Sequence, residues 1–373
     1  MDLPETHIVL VSDQPVPSLL PLLDSGLAAK RAVLVATPAR EQHACHLAHA
    51  LREAGLQVEP IALLRHPYDF PRLHRTLRQL IDQYTDRGVA VNISGGNKLM
   101  SIAAYEVCKE KQQCVYYINI ETDSVQWIVP EGLPDHPLQA QLRMENYLHA
   151  CGVHVVSLSR EELPSGWLRV AKQLINEQKF RSYIYHLLRG HGSIPEYLHS
   201  AAARNYFPQL RKAEIVTGDF GAQSVVDQKS RSFLDGLWLE GLVFHLLSEW
   251  QRSGKIQDVV RNLKVRWQPD EHSEEIANEF DVAFLAKNTL TLIECKSGSV
   301  KSKPEEMRKV IFQLGRSRQK MGGLRGKAAL LALHSLTENL RSRCLDNSVI
   351  SMQSTSMAEL QSHLQLLTEK SAP

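Results

Sequence analysis

Little in this sequence advertises a partner through bulk charge. Across 373 residues the formal charge is only +2, so no strong field steers the chain toward nucleic acid, although local basic clusters can still grip a phosphate backbone. The six cysteines show no CxxC spacing, and reduced, mostly buried thiols in a cytoplasmic protein are expected. The opening residues, Met1-Asp2-Leu3-Pro4-Glu5, lack a basic segment followed by an apolar run, and no uncharged apolar stretch reaches the length of a membrane span. Secretion and membrane insertion are therefore not expected. What is present is the composition of a folded protein, 43% hydrophobic and 23% charged, with enough apolar material for two or three domains.

The most informative stretch runs from Asn278 to Lys296. Two strand-like apolar runs, Phe280 to Leu285 and Leu290 to Cys295, flank the polar pair Lys287-Asn288, which predicts a hairpin. A two-residue turn at that pair sets Asp281 opposite Glu294, and opposed residues share a face. Lys296 follows Glu294 by the strand period of two and joins them. Two carboxylates and an ammonium on one stiff scaffold suit Mg²⁺ or Mn²⁺, which can hold a phosphodiester and lower the pKa of a bound water. Lys296 could position the attacking water or neutralise a phosphate oxygen, and both roles stay open. Glu279 shares the face of Asp281 and could assist.

Asp281 followed by Glu294-Cys295-Lys296 resembles the D…(D/E)xK signature of restriction-endonuclease-like nucleases. The resemblance implies a further acidic residue on an earlier helix, and Glu240 in Trp238-Leu239-Glu240-Gly241-Leu242 matches it. Glu240, Asp281 and Glu294 would then be the metal ligands, with Lys296 completing the catalytic set.

The N-terminal half reads differently. His7 to Val11, Arg31 to Ala36, a short run from Val58 to Leu63, Gly88 to Ile93 and Cys114 to Ile118 read as strands. Helical stretches lie between them at about 40–54, 73–84 and 98–110. That alternation predicts a mainly parallel sheet covered on both faces, with ligands at the strand ends. Asn92-Ile93-Ser94-Gly95-Gly96-Asn97-Lys98 offers glycines for close backbone approach, free helix amides and side-chain donors, as a phosphate requires. It is neither GxGxxG nor a Walker loop, so a dinucleotide or ATP is not expected.

Ser12-Asp13-Gln14-Pro15, taken with Asn92 to Met100, resembles a CARF domain, the Rossmann-like sensor of cyclic oligoadenylates in type III CRISPR systems. The resemblance implies a homodimer that shares one cyclic ligand across its symmetry axis, a sensible receptor for a symmetric molecule. It assigns the activator to Ser12, Asp13, Gln14, Thr37, Ser94, Gly95, Gly96, Asn97 and Lys98.

The expected fold is α/β throughout, with a Rossmann-like CARF domain (1–150), a helical link or winged module (151–225) and a restriction-endonuclease-like domain (226–373). Leu138 to Ala150 reads helical. In the middle region Leu168 to Glu177 and Phe180 to Leu188 read as helices, broken at Arg189 to Pro195. Its basic residues, Lys172, Lys179, Arg181, Arg189, Arg204, Arg211 and Lys212, are available to nucleic acid. Lys255 to Trp267 alternates apolar with charged residues as an exposed strand would. The acidic run from Asp270 to Glu275 reads as a loop, and a basic loop from Ser297 to Pro304 leads into a helix from Glu306 to about Met321.

Together these features predict a metal-dependent endonuclease acting on DNA or single-stranded RNA and switched on by a cyclic oligoadenylate, cyclic tetra-adenylate foremost. A messenger-independent repair or restriction nuclease would keep only the C-terminal chemistry. A ring nuclease would break the messenger in the N-terminal pocket. A transcriptional regulator would leave Asp281, Glu294 and Lys296 unexplained.

Overall fold

The computed structural model describes residues 3–85, 88–189, 201–218, 226–267, 275–298, 304–323 and 325–369. Its contacts divide into two compact units, residues 1–155 with 267–275, and residues 156–266 with 276–373.

The first unit holds strands β1 (Thr6–Leu10), β2 (Arg31–Ala36), β3 (Gln57–Val58), β4 (Ala62–Leu63), β5 (Val89–Asn92), β6 (Cys114–Asn119), β7 (Ser124–Val129) and β8 (His136–Pro137). Helices α1 (Val16–Leu23), α2 (Glu41–Glu53), α3 (Phe70–Asp82), α4 (Lys98–Glu110) and α5 (Met144–Ala150) accompany them. Sheet order is β3-β2-β1-β5-β6-β7-β8, with β4 beside β2. β1 runs parallel to β2 and β5, and β5 to β6, whereas β7 and β8 return antiparallel. Every residue of β1 is buried, as a central parallel strand covered on both faces demands. Leu10, Val33 and Val91 pack with Leu77 of α3 and Met100, Ala103 and Val107 of α4 on one side. Ala90, Tyr116 and Val125 pack with Leu27 in a separate cluster.

The short run from Val58 to Leu63 divides into β3 and β4, which both pair with β2. Helix α5 begins only at Met144. The stretch before it stays extended because the Asp24 carboxylate accepts the backbone N–H groups of Gln139 (2.5 Å) and Ala140 (3.0 Å), which a helix would have turned inward.

The second unit is built on β9 (His154–Ser159), β10 (Asp258–Trp267), β11 (Ile276–Ala286), β12 (Thr289–Lys296), β13 (Lys327–Ala332) and β14 (Ile350–Gln353). Their order is β14-β13-β12-β11-β10-β9. Helices α6 (Ser165–Asn176), α7 (Gln178–Arg189), α8 (Ala201–Lys212), α9 (Gln228–Ser232), α10 (Trp238–Arg252), α11 (Pro304–Ser317), α12 (Glu338–Asp346) and α13 (Met357–Thr368) surround this sheet. Among the described residues, the stretch 151–225 supplies an edge strand and three helices, and α6 lies along α10. Phe180, Phe244, Leu247, Phe284 and Ile293 share one core. Arg181 spends its guanidinium on the carbonyls of Leu174 (2.6 Å) and Ile175 (2.9 Å), closing the end of α6. Arg189 and Arg204 have side chains outside the described set, as do the break at 190–195, most of the acidic run at 270–275 and the loop at 299–303.

β10 is an interior strand, not an exposed one. It lies between β9 and β11 with Val259, Val260, Leu263 and Val265 buried. Lys264 and Arg266 are exposed while Arg261 lies half-buried over the Phe244 ring, so the charged residues make the sequence pattern look wetter than the strand is.

Candidate metal and activator sites

The β11–β12 hairpin turns at Lys287-Asn288, both with positive φ (50° and 51°), as a two-residue type I′ turn requires. The ladder pairs Val282 with Ile293 and Leu285 with Leu290. One step further brings Asp281 level with Glu294, as the sequence predicts. The Cys295 backbone N–H donates to Asp281 Oδ2 at 2.7 Å, and Lys296 Nζ donates to Glu294 Oε1 at 2.5 Å. Glu294 and Lys296 keep 14% and 32% of their side-chain surface open, so the group can be reached from solvent.

Glu240 arrives from the first turn of α10. The chain kinks before it at Gly236, where backbone and strand end meet: the Ser297 hydroxyl donates to the Asp235 carbonyl at 3.2 Å. That bond ties the start of α10 to the residue after Lys296. Glu279 instead pairs with Lys264 at 3.3 Å.

The electrostatics describe a site with excess negative charge. Burial, then the Glu294 charge, push Glu240 up from 4.5 to about 7, with Lys296 and Arg261 opposing. Burial, then Glu294 and Glu240, push Asp281 up from 3.8 to about 8. Burial pulls the Lys296 ammonium down, but Glu294 and Asp281 outweigh it and the net shift is upward. Half-buried carboxylates that resist ionising beside one another form an all-oxygen donor set, and this fits a hard divalent cation. Glu240, Asp281 and Glu294 would hold it.

This charge balance predicts a pH-dependent stability. As pH rises above about 4, an unfolded chain releases these two protons before the folded chain does, so the folded state holds more protons and loses stability. The loss ends once pH passes about 8. Without divalent metal the melting temperature should fall between pH 6 and pH 8.5, and saturating Mg²⁺ or Mn²⁺ should flatten the slope. A flat metal-free profile would contradict the coupling.

In the first unit, the predicted activator residues gather at the C-terminal ends of β1, β2 and β5. Gly95 is buried, and a Cβ there would lie 2.0 Å from the Leu10 carbonyl oxygen, so only glycine permits this approach of the β5 loop to β1. Gly96 has φ +71°, a left-handed conformation suited to glycine. Several donors are already committed: Asn97 caps α4 by accepting the Met100 N–H (2.9 Å) and donates to the Pro67 carbonyl (3.0 Å). Ser94 Oγ accepts the Ile118 N–H at 2.8 Å, and Ser12 Oγ accepts the Gln14 N–H at 3.2 Å. Asp13 pairs with Arg40 at 3.4 Å, and Thr37 precedes the short turn that carries Arg40. Gln14 and Thr37 are half-buried and Lys98 is exposed.

Arg40 and Arg261 are contributions that sequence reasoning missed. Neither belongs to a motif, and each matters through a partner on another element. A third is a group on α2 and α5, where ligand atoms of His49, Glu53 and His149 all lie within 4.8 Å of one another. It belongs to the first unit and is separate from the hairpin carboxylates.

Comparison with known proteins agrees with both halves. Residues 6–147 match the family described as "Card1 CARF domain", and residues 227–370 match "Card1-like, endonuclease domain". Among solved structures, protein VC1899 from Vibrio cholerae superposes with a TM-score of 0.81 at 21% identity, covering 97% of each chain. Can2 from Sulfobacillus thermosulfidooxidans, solved with cyclic tetra-adenylate, gives 0.75 at 21% identity over 98% of each chain. A type III CRISPR defence DNA nuclease activated by cyclic oligoadenylate gives 0.59 at 16% identity, over 98% of this chain and 52% of that one. A search of curated proteins finds no match.

Proposed function

Because the chain joins a CARF domain to a Card1-like endonuclease domain, we propose that it is a divalent-metal-dependent endonuclease of type III CRISPR defence, switched on by cyclic tetra-adenylate. The observation that carries this reading is the convergence of Asp281, Glu294 and Lys296 on one hairpin in register, with Glu240 on α10 near enough for the Glu294 charge to push its carboxyl up.

Each residue has a definite task. Asp281, fixed by the Cys295 amide, would join Glu294 and Glu240 in holding Mg²⁺ or Mn²⁺, and the ion's charge would offset the repulsion that raises Glu240 and Asp281. The ion, when bound, supplies a Lewis acid for the scissile phosphate and a more acidic water. Lys296, kept cationic, would position the attacking water or a non-bridging phosphate oxygen. A surface for a substrate strand is offered near the start of β11, where β11 and α11 border a cavity of ≈ 250 Å³ lined by Asn278, Lys309, Phe312, Gln313 and Arg316. Phe312 is 59% exposed between two cations on one helix face, suited to stacking a base while Lys309 and Arg316 meet phosphates. Asn278 lies about 10 Å along β11 from Asp281.

On the sensor side, the Gly95-Gly96 loop, the Ser12-Asp13-Gln14 turn, Thr37 and the exposed Lys98 form the activator surface, with Can2 bound to cyclic tetra-adenylate as the supporting likeness. A two-fold ligand favours a homodimer. Six free cysteines and the lack, among the described residues, of any helix long and apolar enough to cross a membrane suit a cytoplasmic enzyme.

The test is cleavage of labelled single-stranded DNA, supercoiled plasmid and single-stranded RNA with Mg²⁺ or Mn²⁺, each with and without cyclic tetra- or hexa-adenylate. Cleavage that needs one ring is the expected result. Ring-independent cleavage would remove the switch and leave a plain nuclease. Binding of DNA without any turnover would favour a regulator.

A further inference from the structure

We propose that His49, Glu53 and His149 form a transition-metal site that clips α5 onto α2, with Zn²⁺ as its natural class of ligand. His49 and Glu53 stand one turn apart on α2, and His149 reaches them from α5, which packs against α2. Glu53 already gathers both imidazoles through its two oxygens. His149 Nδ1 lies 2.8 Å from Oε2, and His49 Nε2 lies 3.5 Å from Oε1. The two rings stand 5.7 Å apart.

The ligand chemistry separates this group from the hairpin carboxylates. Two imidazole nitrogens and one carboxylate oxygen suit a borderline cation such as Zn²⁺, whereas Mg²⁺ prefers oxygen alone. A water completes four-coordination, and the partial exposure of all three side chains gives the ion an entry path. The position also gives the site a purpose. α5 is the last helix of the first unit, and the chain passes from it into β9. A clip at His149 therefore braces the segment by which the sensor leaves for the second unit's sheet.

The experiment is a Zn²⁺ titration of the full chain against a chromophoric chelator, with Mg²⁺ in excess to occupy the oxygen site. The same titration is run on His49→Ala, His149→Ala and Glu53→Gln. His49 keeps 65% of its side chain exposed, so its replacement leaves the packing intact. The parent should bind one equivalent, and His49→Ala should weaken it by about 100-fold or more, since even outer-shell partners are worth about 10–100-fold. Bound Co²⁺ should show visible absorption in the parent that His149→Ala abolishes, and Zn²⁺ should raise the melting temperature of the parent but not of His49→Ala. Equal Zn²⁺ affinity in parent and His49→Ala would overturn the site and reduce the group to hydrogen-bonded side chains.

Discussion

Replacing Lys296 by Ala should lower strand cleavage by about 10²–10⁴-fold, the range for a positioned proton-transfer group, while cyclic tetra-adenylate binding stays at the parent level. Lys296 is the one cation hydrogen-bonded within the described carboxylate cluster, at 2.5 Å from Glu294. Its loss removes both the ammonium proposed to meet the substrate and the partial neutralisation of Glu240 and Asp281. Glu294→Ala should be at least as damaging, because it deletes a proposed metal ligand and the carboxylate that pairs with Lys296. The two variants differ in stability. Without metal, Glu294→Ala relieves the repulsion that raises Glu240 and Asp281, so its melting temperature at pH 8 should exceed that of the parent. Lys296→Ala should melt lower. Cleavage by both variants at the parent rate would end the assignment, whatever the sensor does.

The opposite melting shifts matter because they distinguish a charged site from a merely structural cluster. A structural ion pair loses stability from either side when broken. A metal site assembled from excess carboxylates gains stability when one is removed, and loses function with it.

How much of this was legible beforehand follows the range of the interactions involved. The hairpin was readable because its register depends on a local turn, and Lys287-Asn288 adopts the positive φ values that such a turn needs. Helix α4 was equally local, running from Lys98 to Glu110 behind its Asn97 cap. The late start of α5 was hidden, because it depends on Asp24, far away in sequence, capturing two amides. β10 reads as exposed because Arg261, Lys264 and Arg266 alternate with its apolar residues, and its interior position depends on β9 and β11 beside it and on the helices that share its core. The membership of β9 in the second sheet depends on a partner strand about a hundred residues onward, which no short pattern encodes. Within the carboxylate site the hairpin residues were recoverable from strand periodicity, whereas Arg261 there, and the separate α2–α5 group in the first unit, needed packed elements.

Gly95→Ala should abolish the response to cyclic tetra-adenylate while leaving the carboxylate site able to bind Mn²⁺. The added Cβ would lie 2.0 Å from the Leu10 carbonyl oxygen and 3.2 Å from the Ser12 amide nitrogen, and both are backbone atoms. A side chain could rotate away, but here the end of β1 must move, carrying Ser12, Asp13 and Gln14 with it. Overpacking of this kind costs about 1–3 kcal/mol, small enough for a folded sensor to survive but large enough to part the two loops. Gly132→Ala is the control: its φ is +84°, yet nothing lies within 4 Å of a Cβ there. It carries the backbone strain of a left-handed alanine without touching the β1–β5 contact. Calorimetry with cyclic tetra-adenylate should then show binding for Gly132→Ala and more than a tenfold loss for Gly95→Ala, with Mn²⁺ affinity unchanged in both. Equal activator binding by Gly95→Ala and parent would mean that the strand ends of β1 and β5 do not form the receptor. The carboxylate site would then stand without its proposed switch, since its geometry rests on the hairpin and α10 alone.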